Sequence, residues 1–182
     1  VWLASGQSNM EWSVRSSLNA KEVIAGANNP QLRLFDVPGH VQGPAPAPGR
    51  GKWALCSPQS IPNFTAVGYH FGRALYEKLG VPVGLVGTNW GGTRIEPWTP
   101  PVGFEQVEAL GDYRDNIRAI DPGTEAGKTS HMKYLAAVED WVSKGKAAVA
   151  AGNHLSGEPP RFNLRPKGGA THIYNGMVHA LT

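Results

Sequence analysis

A serine placed just past an apolar run is the first feature of this chain that could do chemistry. Val1-Trp2-Leu3-Ala4 is apolar and partly β-branched, the mark of a buried strand, and it gives way to Ser5-Gly6-Gln7-Ser8-Asn9-Met10. Gly6 permits the backbone angles of a sharp turn, so Ser8 is expected just beyond the strand's carboxyl end. In open α/β sheets ligands bind at that edge, and a helix starting there points free N–H groups and the positive end of its dipole at the site. A serine so placed is a candidate nucleophile. Serine and asparagine also cap helices, and capping alone would account for Ser8 and Asn9. The second feature is the pair Gly91-Gly92, which follows the apolar stretch 81–87. An ester's tetrahedral intermediate carries an oxyanion, and backbone N–H groups reach it where no side chain intervenes. A nucleophile at Ser8 with donors at Ser8, Gly91 and Gly92 would support acyl transfer, although a glycine pair can also serve only a tight turn.

Around these two features stand side chains suited to a polar substrate. Arg94 offers a guanidinium and Trp98 an indole for stacking on a sugar, with Glu96 between them. Arg94 and Glu96 can equally pair with each other, and Trp98 can pack beneath the loop. Glu11 and Trp12 carry the same two readings. A serine hydroxyl is a poor nucleophile until a base takes its proton and a third group holds that base in place. No histidine lies three residues after an aspartate; Asp36 and His40, four apart across Pro38-Gly39, are a weak substitute. His70 falls inside a helical pattern and reads as structural. His131, His154 and His172 lack metal-ligand spacing and receive no role.

The string Gly6-Gln7-Ser8-Asn9-Met10-Glu11-Trp12 resembles the first signature block of the sialate O-acetylesterase-like branch of the SGNH hydrolases. It differs from the Gly-x-Ser-x-Gly elbow of α/β-hydrolases, because Met10 stands two places after Ser8. Residues 87–98 resemble the second block, whose glycine supplies an oxyanion donor. The resemblance implies an α/β three-layer, flavodoxin-like fold with a parallel sheet. It also implies a serine carbohydrate esterase that removes acetyl groups from sugars through an acyl-enzyme on Ser8, with no metal or other cofactor. Sialic acid and acetylated plant polysaccharide are both substrates of the implied kind. Substrate contacts are expected at Gln7, Asn9, Glu11, Trp12, Arg94, Glu96 and Trp98. The family places its base in an Asp-x-x-His segment near the far end of the domain, and a further oxyanion asparagine in a Gly-Glu-Ser-Asn-like segment. Neither is present here, so the chain reads as the N-terminal part of a longer protein, inactive alone, and export is expected from the glycans such enzymes act on. The surroundings of His179 resemble a further segment near the cleft, and a rim or structural role is expected for it. The competing reading is a carbohydrate-binding domain of the same fold without turnover.

Totals bound these readings. At 182 residues the chain has the length of one domain and can bury roughly two thirds of its unfolded surface. Charged residues make up 17% and the formal charge of +3 is spread without a basic run, which gives nucleic acid no support as a partner. No apolar stretch nears the roughly 20 residues of a membrane span. Cys56 is the only cysteine, so no internal disulfide can form.

The elements that must position the site follow from the pattern. A short surface helix is expected within 17–27, and a strand over 31–37 is expected to pair beside the first strand. Residues 43–51, with three prolines, read as an extended loop. The clearest helix runs over 65–79, capped by Thr65 and stopped by Gly80, and leads into a buried central strand over 81–87. After Pro100 a helical insertion is expected over 101–170, with helices near 104–120 and 129–151 and a long loop from 153. Leu135, Val138, Trp141 and Val142 form a stripe expected to be core contact, and Asn175 is expected to cap a terminal helix.

Overall fold

The structure, a computed structural model, describes residues 1–155 and 157–181. The chain divides into two compact units, one of Val1–Gln42, Pro46–Ile95 and Asn175–Thr182, the other of Gly43–Ala45 and Glu96–Tyr174.

The first unit is a sheet with a helix packed on it. Its strands are β1 (Trp2–Gly6), β2 (Asn29–Asp36), β3 (Trp53–Cys56) and β4 (Val83–Asn89). Their order across the sheet is β1-β4-β2-β3. β4 lies parallel to both β1 and β2, while β3 adds an antiparallel edge to β2. One expectation changes here. The strand expected beside β1 is separated from it by β4, because the later, more continuously apolar segment takes the doubly covered central place. Trp53-Ala54-Leu55-Cys56 is a strand because it completes the ladder of β2. Between β1 and β2 come a single turn α1 (Ser8–Glu11) and a short surface helix α2 (Ala20–Ala25), which buries no residue.

The crossover to β4 is α3 (Ala66–Leu79). Thr65 caps it by accepting from the Gly68 N–H at 3.2 Å, and Gly80 ends it in the left-handed region at φ 64°. One face of the sheet meets this helix, so Leu32, Leu34, Val83 and Leu85 are buried with Tyr69, Phe64, Ile61 and Val14. On β4, Thr88 points to the other face and its Oγ1 donates to the Met177 carbonyl at 3.4 Å, so the segment after residue 175 covers that side. Asn175 is buried within the turn Tyr174–Val178, not at its start, so it does not act as the expected cap.

The second unit is helical: α4 (Pro101–Glu105), α5 (Gly111–Ile120) and α6 (Glu125–Ala150). α6 starts earlier than its apolar pattern suggests because Thr124 caps it, accepting from the Gly127 N–H at 2.9 Å. Phe104 is fully buried and stacks on Tyr113. The stripe on α6 is only partly covered: Leu135 and Val142 are exposed, Val138 and Trp141 are half-buried, and the buried residues of the helix are Gly127 and Gly145. Length explains this, since α5 spans about 15 Å and α6 about 39 Å at 1.5 Å per residue, so much of α6 outruns its partner. Residues 153–155 and 157–166 are irregular, as expected from their composition.

Candidate active site

Register brings the two turns together. β1 and β4 run parallel with Gly6 opposite Asn89, and the Trp90 N–H donates to the Gly6 carbonyl at 2.9 Å. The segments carrying Ser8 and Gly91 therefore leave the sheet at the same edge. Gly6 has φ 149°, a conformation that disfavours a side chain, and this turns the chain from strand into α1. In α1 the Met10 and Glu11 N–H groups both donate to the Gln7 carbonyl, at 2.8 and 2.9 Å, and the Trp12 N–H donates to Ser8 at 3.0 Å. Gln7 occupies the cap position and no side chain caps the turn, so Ser8 and Asn9 are not the capping pair. The helix with a sizeable dipole that the sequence suggested is a single turn, too short to sum aligned peptide dipoles. Ser8, Gln7 and Asn9 are exposed.

Gly91 meets this turn directly. A Cβ built on it would lie 3.5 Å from Ser8 Cα and Cβ, and 2.6 Å from Glu11 Oε2. A side chain there would touch Ser8 at ordinary contact distance and would push the Glu11 carboxylate aside. The Gly91 N–H donates to Glu11 Oε2 at 2.7 Å. Gly92 has φ 76° and nothing within 4 Å of the position its Cβ would take. Thr93 Oγ1 closes the turn on the Trp90 carbonyl at 2.7 Å.

The other oxygen of Glu11 faces a histidine. Glu11 Oε1 and His40 Nε2 are 2.7 Å apart, and the His40 ring stacks on Trp90 with centroids 4.5 Å apart and planes at 8°. Asp36 is not the partner of His40. Its carboxyl lies beside Gly87 on β4, where partial burial pushes its pKa up although much of the residue is exposed. Sequence reasoning missed His40 and Trp90 as members of this cluster. A carboxylate and an imidazole 29 positions apart leave no local signal; the stacking of His40 on Trp90 comes only with the strand order.

The remaining expected contacts separate. Trp12 is exposed with its Nε1 fixed to the Ser16 carbonyl at 2.9 Å, and Arg94 is exposed. Glu96 and Trp98 belong to the second unit, where Glu96 accepts from the Tyr113 hydroxyl at 3.2 Å and Trp98 is half-buried. The ring hydrogen bonds of His40 and His131 go to Glu11 and to the Gly127 carbonyl. No group of three acidic, histidine or cysteine side chains among the described residues could hold a metal ion, and no helix is long and apolar enough to cross a membrane.

A mostly parallel sheet, with a serine on the turn after one strand and a glycine pair on the turn after its neighbour, has the SGNH-hydrolase type of α/β fold. A carbohydrate acetylesterase from Xanthomonas citri superposes on 99% of this chain with a TM-score of 0.58 and 28% identity, the chain covering 29% of that structure. By sequence the chain is 40% identical over 108 residues to a sialate O-acetylesterase of Rattus norvegicus, and 33% identical over 113 residues to that of Homo sapiens. Each match takes in 54% of this chain, and the chain spans about one fifth of those relatives, 20% and 21%. No family model matches the chain. The similarity to the sialate O-acetylesterase-like branch of the SGNH hydrolases thus stands on both sequence and structure, over the parts covered.

Proposed function

We propose that this chain carries the nucleophile end of a serine carbohydrate esterase that removes acetyl groups from sugars, sialic acid or plant polysaccharide among them, through an acyl-enzyme on Ser8. The observation that carries the reading is the exposed, uncapped Ser8 lying against the side-chain-free face of Gly91 at one sheet edge. Ser8 Oγ attacks the acetyl carbonyl while a base takes its proton; the intermediate then expels the sugar hydroxyl, which recovers that proton, and water releases acetate from the acyl-enzyme. The Gly91 N–H is already given to Glu11, so the donors assigned to the oxyanion are the N–H groups of Ser8 and Gly92. Gln7, Asn9, Trp12 and Arg94 are assigned to the sugar. The base and its orienting carboxylate are assigned to an Asp-x-x-His segment that these 182 residues do not include. The alternative reading is a sugar-binding domain of the same fold without turnover.

Ser8→Ala in the protein at its native length decides between them. Loss of acetyl-ester hydrolysis by at least about 1,000-fold, with an unchanged melting temperature, is expected for the esterase. Turnover equal to wild type removes the mechanism, and absence of turnover in the wild type with retained sugar binding selects the second reading.

A further inference from the structure

Glu11 uses both its oxygens inside the protein, at 2.7 Å each: Oε2 on the Gly91 N–H and Oε1 on His40 Nε2. His40 stacks on Trp90, and the Trp90 N–H is held by the Gly6 carbonyl. The contacts close a ring: Gly6 to Trp90, Trp90 to His40, His40 to Glu11, and Glu11 back through α1 to the turn that begins at Gly6. Ser8 lies on that ring, and Gly91, next to Trp90, is tied to it by its N–H on Glu11 Oε2. We infer that Glu11 is a positioning residue, a two-pronged clamp that fixes the Gly91-Gly92 turn against Ser8 and leaves Gly92, not Gly91, to face the substrate. The inference rests on the esterase reading for its kinetic consequence, and on geometry alone for the clamp itself.

The argument from magnitude favours position over stability. The Glu11 and His40 side chains are 37% and 45% exposed, and ion pairs that open to water contribute little to folding. A misplacement of about 1 Å between nucleophile and donors, by contrast, can cost about 100-fold in rate. Span matters as well as charge. Glutamine keeps the reach, accepting from the Gly91 N–H through its oxygen and donating to a neutral His40 ring through its amide, whereas aspartate is one methylene short of joining both.

The test uses the protein at its native length, with Glu11→Gln, Glu11→Asp, Glu11→Ala and Ser8→Ala made in parallel. Two readouts are taken: steady-state kinetics on an acetyl ester, and amide hydrogen exchange of a peptide spanning 90–94. Glu11→Gln is expected within about 3-fold of wild-type kcat, with the slow Gly91 amide retained. Glu11→Asp and Glu11→Ala are expected to lose about 10- to 100-fold in kcat at nearly constant KM, with that amide exchanging fast. Should Glu11→Ala fail to fold, the Gln and Asp pair still separates reach from charge. A raised KM at unchanged kcat, or Gln behaving like Ala, would overturn the clamp. If Ser8→Ala retains full turnover while the Gly91 amide still responds to Glu11→Ala, the esterase reading fails and the clamp stands.

Discussion

Ser8 and Gly91 show how little a single residue specifies without its neighbours. The serine is exposed because the chain has turned at Gly6, and its hydroxyl stays available because Gln7 holds the cap position. Gly91, expected as one of two interchangeable donors, has its amide committed to Glu11, which distinguishes it from Gly92. His172 shows the same dependence in the second unit. It is buried, its Nε2 has no hydrogen-bond partner among the described residues, and burial lowers its pKa. The neutral ring is therefore the form the fold accepts. Above the unfolded value of about 6.5 both states are neutral and this contribution to stability is complete. As the pH falls below it the unfolded chain binds a proton that the folded one resists, so stability is lost down through the depressed folded value. Urea midpoints measured from pH 7.5 to 5 should fall more steeply for wild type than for His172→Leu. Parallel curves would mean that the buried ring does not drive the acid limb.

At the level of elements, the contact between α3 and β4 sets where the sheet edge lies. The Cβ that alanine would add at Gly72 falls 2.6 to 3.0 Å from Cδ1, Cδ2 and Cγ of Leu85, which is itself fully buried. Leu85 would have to change rotamer in a filled space or the helix would have to lift. Overpacking of this kind costs about 1–3 kcal/mol, and the roughly 1 kcal/mol that alanine gains over glycine in a helix offsets part of it. Gly72→Ala should therefore destabilise by up to about 2 kcal/mol in denaturant unfolding; a stabilised variant would show that the helix can move freely off the sheet. α3 and β4 were legible in the sequence, because each carries its own signals: a threonine cap, a glycine stop, and an apolar run covered on both faces. The place of β2 beside β4 was not, since strand order depends on pairing that no local pattern encodes. Nor was β3, whose four residues gain strand character only from β2. On α6 periodicity misled, because a helical stripe shows which side is apolar and not whether anything covers it.

For the molecule as a whole, the turn that carries Ser8 and the turn that carries Gly91 leave the sheet at one edge, and this was legible because each lies next to a strand end. The cluster of Glu11, His40 and Trp90 was not, since it joins residues from three separate segments through the sheet. On the proposed reading turnover needs one thing more, a base at the Ser8 hydroxyl, and the ring hydrogen bonds of His40 and His131 go elsewhere. His40, the nearest by chemistry, presents Nε2 to Glu11 and its face to Trp90, an arrangement that holds a turn in place. Enzymes stripped of a triad member keep only about 1,000- to 10,000-fold over water from the oxyanion donors and binding. The 182-residue chain assayed alone on p-nitrophenyl acetate should therefore run at least about 1,000-fold below the protein at its native length, with Ser8→Ala changing its rate by less than about 3-fold. A far-ultraviolet spectrum with the expected helix content must accompany the assay, so that a low rate reports on chemistry and not on an unfolded chain. Ser8-dependent turnover by the short chain that disappears in His40→Ala would transfer the base to His40, and the Glu11 pair would then orient a catalytic imidazole.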